Sequence, residues 1–426
     1  MKHTTVRRAA AALALTLLVT ACGSSDDDTS SGGGGGGDEA PSSTVAPDTD
    51  TGSIPEATGP ADESLDPVKI GMINMDEGTP SYPDVSVGVD AAAALANAEL
   101  GGIQGRPIEI EHCNVGVDQA SNQACAQQFA NDDEISLVIT GYVFGSAFVY
   151  PILEAADVPV LIQTPLTQPD FEAANGWAFQ GGNAGGTAGT AAYAAEYLDA
   201  TDIVILGADN DALRAAVDTI EGLPAMEGVE VSTTYIPDTA ADVTADVQAS
   251  GAADADAVLA LVNAPQCVQV AQTLEDLAVE APVISTATCA VPATLEESPA
   301  LFEGWTIVGS GLPPLLAEGA SAELDYYRET FPEHGPEDKM DSFLSLGGFG
   351  ALLAAREIGN ELPEGLSRAD WAEGLAGFTG PYFGGQDELS CPGEHFPAVC
   401  NNEVRAFVLD GEGVMSQVQD FFDPLA

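Results

Sequence analysis

The chain has 426 residues, 45% of them hydrophobic but only 6% aromatic, and carries a formal charge of −56 from 67 acidic residues against 11 Lys and Arg. With so few cations there is no clustered basic surface to neutralise phosphates, so nucleic acid is not an expected partner. The 360 residues from Pro67 to Ala426 suffice for two lobes, and an Ala-, Val-, Leu- and Gly-rich content suits α/β layers better than an aromatic-rich sandwich.

The chain opens with Lys2, Arg7 and Arg8 ahead of an apolar run, Ala9 to Val19, that is too short for a stable bilayer anchor and reads as a signal peptide over residues 1–21. The sequence Val19-Thr20-Ala21-Cys22 resembles the bacterial lipoprotein box, which implies a lipid on Cys22 and a mature chain anchored outside the bacterial cell membrane. The alternative is a plain secretory signal with an incidental cysteine. Residues 22–66 are Gly-, Ser- and Asp-rich, including six glycines at Gly32–Gly37, and cannot bury enough apolar surface to fold. They are expected to form a disordered tether with a mean reach of roughly 35–40 Å.

The body reads as repeated strand–helix units. Val68–Ile73 is a strand, Val85–Leu100 a helix, Pro107–His112 a strand and Gln119–Phe129 a helix. Strands Ser136–Thr140 and Val158–Ile162 flank an amphipathic stretch at Ala147–Ala156. A second series runs as helix Ala188–Leu198, strand Asp202–Leu206, helix Ala212–Ile220, strand Val229–Tyr235 and helix Val243–Ser250, then strand Ala257–Val262, helix Val268–Leu277 and strand Val283–Ser285. Thr306–Val308 leads into helices at Ala322–Thr330, Phe343–Ile358 and Ser367–Leu375, with closing strands expected at Pro381–Phe383 and Val404–Leu409. Short, almost continuously apolar strands are buried on both faces, which implies parallel sheets covered by helices. The pattern predicts two doubly wound lobes linked by more than one crossing: 67–181 plus 308–378 in one, 182–307 plus 379–426 in the other.

Ligands of open α/β sheets sit beyond the carboxyl ends of the strands. The residues that follow the strands are Asp76 and Glu77; Tyr142, Phe144, Gly145 and Ser146; Gln163, Thr164 and Thr167; Asn210; Asn263 and Gln266; and Thr286, with Tyr82 in the loop after the first strand. The set is polar and mostly uncharged, which suits a small polar solute. Gly141 and Gly145 would let backbone N–H groups approach it, and a helix start near Ser146 would offer positive dipole. Each member also has a plainer role: Ser146 and Asn210 as helix caps, the glycines as turn residues, Tyr82 as surface packing.

Of seven cysteines, the six beyond Cys22 form three close pairs: Cys113 with Cys125, Cys267 with Cys289, and Cys391 with Cys400. Disulfides suit an exported chain. For the last pair a metal site remains an alternative, because His395 lies between the two cysteines. No cofactor motif and no metal site is assigned.

Val68-Lys-Ile-Gly-Met-Ile, the turn Gly101-Gly-Ile-Gln-Gly-Arg106, Glu154-Ala-Ala-Asp-Val-Pro-Val-Leu and Phe378-Thr-Gly-Pro together resemble the type I solute-binding lipoproteins of ABC importers, the leucine/isoleucine/valine-binding protein family. The resemblance implies the type I periplasmic-binding-protein fold, a monomer, a small polar solute and an ABC permease as partners, and a ligand carboxylate held near Phe144-Gly145-Ser146 and Thr164-Pro-Leu-Thr167, with Tyr82 near an aromatic wall. Amino-acid binders of that family commonly place an acidic residue after the strand that here ends Ile284-Ser-Thr-Ala-Thr-Cys289, and none occurs here. Asn263 and Gln266 stand where an aromatic residue is usual. An amino acid, an amide and a urea-like solute therefore all remain open.

Two other roles are compatible with the sequence. A sensor module of the same fold would present a ligand-dependent surface to a receptor. An extracellular hydrolase would need a catalytic set, but there is no Gly-x-Ser-x-Gly or His-Glu-x-x-His, and only His112, His334 and His395 follow Cys22. The protein is therefore not expected to be an enzyme.

Overall fold

The computed structural model describes residues 52–426 apart from 238, 241, 296 and 297. The signal segment, Cys22 and the tether up to residue 51 lie outside the described residues.

The first sheet is formed by β1 (Val68–Asn74), β2 (Ile108–Asn114), β3 (Ile135–Thr140), β4 (Val160–Ile162) and β5 (Gly176–Ala178). All run parallel in the order β2-β1-β3-β4-β5. The second sheet repeats this arrangement with β6 (Asp202–Ala208), β7 (Glu230–Ile236), β8 (Ala257–Leu261), β9 (Val283–Thr286) and β10 (Thr306–Gly309), ordered β7-β6-β8-β9-β10. An antiparallel hairpin, β11 (Val404–Leu409) and β12 (Met415–Phe422), extends it beyond β10. Ile70, Met72, Ile73, Leu137, Val138 and Ile139 are all buried, so both faces of the first sheet are covered, as parallel sheets require.

Three crossings join the lobes. The chain leaves β5 for helix Gly182–Tyr197, which packs on β9, β10 and β11. It returns after β10 to helices Ala322–His334 and Phe343–Glu361, which pack on helix Asp84–Glu99 of the first lobe. It crosses a last time between helix Arg368–Gly377 and β11. Helices Asp84–Glu99 and Phe343–Glu361 approach so closely that a Cβ on Gly88 would stand 2.0 Å from the Ser345 carbonyl oxygen, and one on Gly348 2.2 Å from that of Val85. The Arg368 guanidinium fastens its helix to the first lobe by donating to the carbonyls of Phe129, Asp132, Ile135 and Ala156.

The last two crossings are tied to each other. Leu312 N donates to the Gly384 carbonyl at 2.7 Å, and Gly384 N donates to Glu323 Oε2 at 3.2 Å. Buried Arg405 donates to the Gly384 and Gly385 carbonyls and lies 4.0 Å over the Phe421 ring.

Two expectations fail. Pro381–Phe383 is not a strand: Pro381 has no N–H to donate, and Tyr382 N bonds back to the Gln386 carbonyl at 2.9 Å, closing a turn around Gly384 and Gly385. The tether is also shorter than its composition suggests. Thr58 N and Gly59 N donate to the Glu99 carbonyl, Ala61 N to Asn97 and Asp62 N to Gly105, while Ile54 packs against the core and Ser53 Oγ donates to Glu323. These contacts use backbone groups, one serine hydroxyl and single apolar side chains, none of which low hydrophobicity excludes.

All three cysteine pairs are bonded, with Cα–Cα distances of 5.6, 5.4 and 4.4 Å for Cys113–Cys125, Cys267–Cys289 and Cys391–Cys400. Both Cys391 and Cys400 are thereby withdrawn from metal binding, and His395 instead pairs with Asp423 at 3.0 Å.

Candidate functional site

An open cleft of about 1020 Å³ lies where the three crossings meet. Its walls come from the ends of β3, β4 and β5 on one side, and from the ends of β9 and β10 on the other. The first lobe contributes Tyr142, Gln163, Thr164 and Leu166. The second contributes Thr286, Thr288, Ile307 and Phe407. The crossing segments add Gln180, Ser310, Leu312 and Phe383, and helix Phe343–Glu361 adds Phe343, Leu346 and Gly347. Among the described residues, no Asp, Glu, Lys, Arg or His lines it.

Several of its polar groups are unspent. Gln163 is 4% exposed; its Oε1 accepts from Thr164 Oγ1 at 2.8 Å, while its Nε2 has no acceptor among the described residues and faces the cleft. Gly347 makes the room for that amide, since a Cβ there would stand 2.3 Å from Gln163 Nε2. The Ser310 hydroxyl, in a residue 9% exposed, and the Gln180 amide also make no hydrogen bond to the described residues. Helix Gly182–Tyr197 begins here, so partial positive charge reaches the cleft through Gly182, Asn183 and Gly186.

Tyr142 belongs to an aromatic cluster. Tyr82 lies 4.5 Å from Tyr142 and 6.0 Å from Phe144, which is 43% exposed. Desolvation pushes the Tyr142 phenol well above its ordinary range, with the Tyr82 phenol adding to it, so Tyr142 is a neutral donor at any physiological pH.

Of the residues picked out in the sequence, Tyr142, Gln163, Thr164 and Thr286 line the cleft, and Tyr82 and Phe144 form an aromatic cluster with Tyr142 without lining it. The others do not line it. Asp76 accepts from Asn74 Nδ2 and Ser86 Oγ within the first lobe, and Glu77 is exposed with its backbone bonded to Asn114. Gly145 packs against Asn122, where a Cβ would stand 2.4 Å from that side chain. Ser146 is fully buried, with its hydroxyl 2.7 Å from Thr167 Oγ1. Asn210 caps helix Asp211–Glu221 by accepting from Leu213 N, Asn263 precedes helix Ala264–Asp276, and buried Gln266 donates to the Pro237 carbonyl.

The place where a ligand carboxylate was expected already holds one belonging to the chain. Asp170 is 3% exposed and accepts from Leu166 N at 3.0 Å, Thr167 N at 2.6 Å, Thr167 Oγ1 at 2.9 Å and Tyr150 Oη. Burial raises the Asp170 pKa, against these hydrogen bonds, which lower it. Thr167 is the cap of helix Gln168–Glu172 in a reciprocal box with Asp170, so its donors are committed.

Glu99, Glu333 and His334 place ligand atoms within 4.8 Å of one another away from the cleft lining. His334 is hydrogen-bonded to Glu99 at 3.0 Å, which accounts for the grouping as a side-chain contact between neighbouring helices.

Residues 67–386 match the family described as periplasmic binding protein. The chain belongs to that family. Its fold, two lobes of parallel sheet in the type I arrangement, recurs in solved structures of periplasmic binding proteins at low sequence identity. An ABC transporter substrate-binding protein from Sphaerobacter thermophilus superposes with a TM-score of 0.71 at 17% identity, covering 84% of this chain and 99% of that one. A leucine binding protein from Thermotoga maritima gives 0.62 at 15% identity, covering 84% and 99%. A solute binding protein from R. palustris, in complex with 4-hydroxybenzoate, gives 0.66 at 16% identity, covering 85% and 98%. No curated relative matches. Among the described residues of this periplasmic binding protein, no helix is long and apolar enough to cross a membrane.

Proposed function

We propose that this periplasmic binding protein is a lipid-anchored, extracytoplasmic receptor that captures a small molecule between its lobes and delivers it, as a monomer, to an ABC permease. The observation that carries this reading is the cleft itself. It gathers residues from both lobes and all three crossings, so a solute bound there makes more contacts when the lobes close than when they stand apart. The family match and a structural neighbour named as an ABC transporter substrate-binding protein support the transport role. The sequence around Cys22 supports the anchor, and residues 23–51 would supply a tether on which the body can search for solute and dock on a permease in the same membrane.

Ligand-induced thermal stabilisation across a panel of small metabolites tests the reading. A solute at 100 times its dissociation constant adds about 2.7 kcal/mol to the folded state. Folded protein that responds to no small molecule, and that releases none on denaturation, would contradict the receptor role. For the anchor, Cys22→Ala is expected to release the protein to the medium and lower uptake while leaving solute affinity unchanged.

A further inference from the structure

We infer that the solute is uncharged: an apolar body carrying a carbonyl-type acceptor, and not a zwitterionic amino acid. This deepens the receptor reading above and rests on it.

Three observations combine. First, an α-ammonium would have no anionic partner, since no carboxylate lines the cleft among the described residues even though the chain carries 67 of them. An unpaired ammonium desolvated between closing lobes is strongly disfavoured. Second, the hydroxyl donors expected to hold a carboxylate, and the Thr167 N–H, are consumed internally. Thr167 N and Oγ1 serve Asp170, and the Ser146 hydroxyl is buried against Thr167. None of the few cations lines the cleft to offset the acidic field of the whole chain, so a free carboxylate gains little by entering.

Third, what the cleft does offer is neutral and suits an acceptor. Gln163 Nε2 is a donor on a side chain more than nine-tenths buried, without an acceptor among the described residues and aimed into the space. Ser310 Oγ, the Tyr142 phenol and the first turn of helix Gly182–Tyr197 add donors or partial positive charge around it. A carbonyl oxygen matches this set, because neutral donors satisfy its partial charge without leaving an ion unpaired. Phe343, Leu346, Ile307 and Phe383 supply the apolar walls for the body of the molecule.

The probes are matched sets sharing one body: 3-phenylpropanamide, 3-phenylpropionate and L-phenylalanine, with isovaleramide, isovalerate and L-leucine as the aliphatic set. Titration calorimetry on the full chain in detergent is expected to rank the amide at least about tenfold above the acid and the amino acid in the set that binds. Gln163→Ala should weaken the amide by about three- to tenfold, the range of one lost hydrogen bond. Gly347→Ala should do the same by displacing the amide, with the unfolding temperature unchanged or slightly raised by the better helix former, which separates lost binding from lost fold. Tighter binding of an acid or amino acid, or equal affinity in both variants, overturns this inference and leaves the receptor reading standing. Where no probe binds, mass spectrometry of solute released from freshly purified protein decides: a neutral carbonyl compound supports the inference, an ionic solute overturns it, and no solute at all overturns both.

Discussion

The two lobes use the same parallel strand order, yet their strand ends contribute differently. In the first lobe the ends of β3 and β4 reach the cleft through Tyr142, Gln163 and Thr164. In the second, Asn210 after β6 is spent on a helix cap and Asn263 after β8 precedes a helix without lining the cleft, while the end of β9 and the turn after it, the end of β10 and Phe407 of β11 face the solute space. The cleft therefore runs from the end of β3 toward the crossings in the first lobe, and in the second lies away from the point where strand order reverses between β6 and β8. A polar residue at a strand end is evidence of a site only when its hydrogen-bonding capacity is unspent, which separates Gln163 from Asn210, Thr167 and Asp76.

The largest effect is expected where the lobes are joined. Arg405→Ala removes a buried cation that bonds two carbonyls of the last crossing and stacks on Phe421, and should cost about 3 kcal/mol in urea-induced unfolding. A negligible change would mean that the crossings are held by other contacts. Next comes the close helix pair of the first lobe: Gly348→Ala, with its Cβ 2.2 Å from the Val85 carbonyl oxygen, should destabilise by about 1–3 kcal/mol through overpacking.

Asp170→Asn tests the spent side of the comparison. It replaces an acceptor of four hydrogen bonds by a group that accepts on one atom only, and should lower stability by about 1–3 kcal/mol while leaving solute affinity within twofold of the native value, about the resolution of calorimetry. A specific loss of affinity would move Asp170 from scaffold to site.

The smallest effect is a pH dependence on the first lobe. Asp90, hydrogen-bonded to His112 at 2.8 Å, holds the imidazole above its ordinary value of 6.5, against partial burial that lowers it. The folded state thus favours the protonated form. The stabilisation is fully present below pH 6.5 and is lost as pH rises through the raised value. Both partners are partly exposed, so it should be small, and Asp90→Asn should abolish the slope in thermal unfolding between pH 6 and 8.

Much of the fold was legible because the signal is local. Apolar runs marked β1, β3, β6 and β8, and Asp157-Val-Pro ahead of β4 marked a helix stop. Where local cues mislead, long-range contacts decide. Ile54 and Ala61 look like tether until the surface beneath them is known, and Pro381–Phe383 looks like a strand until the Tyr382–Gln386 turn is seen. The site was half legible for the same reason. Gln163 and Thr164 stand out as polar residues after an apolar strand, whereas Gln180, Ser310 and Gly347 acquire a role only when the chain returns to the first lobe. Asn210 and Asn263 carry the side chain of a ligand contact and of a helix start alike, and only the described hydrogen bond of Asn210 to Leu213 assigns it to the start.

The central claim, that the solute sits at the meeting of the three crossings, is most directly tested by amide hydrogen exchange with and without bound solute. Protection is predicted to rise at residues 163–166, 180–186 and 309–313. Protection rising instead at residues 75–77, 209–211 and 263–266, with the crossings unchanged, would place the solute at the outer strand ends and contradict the account.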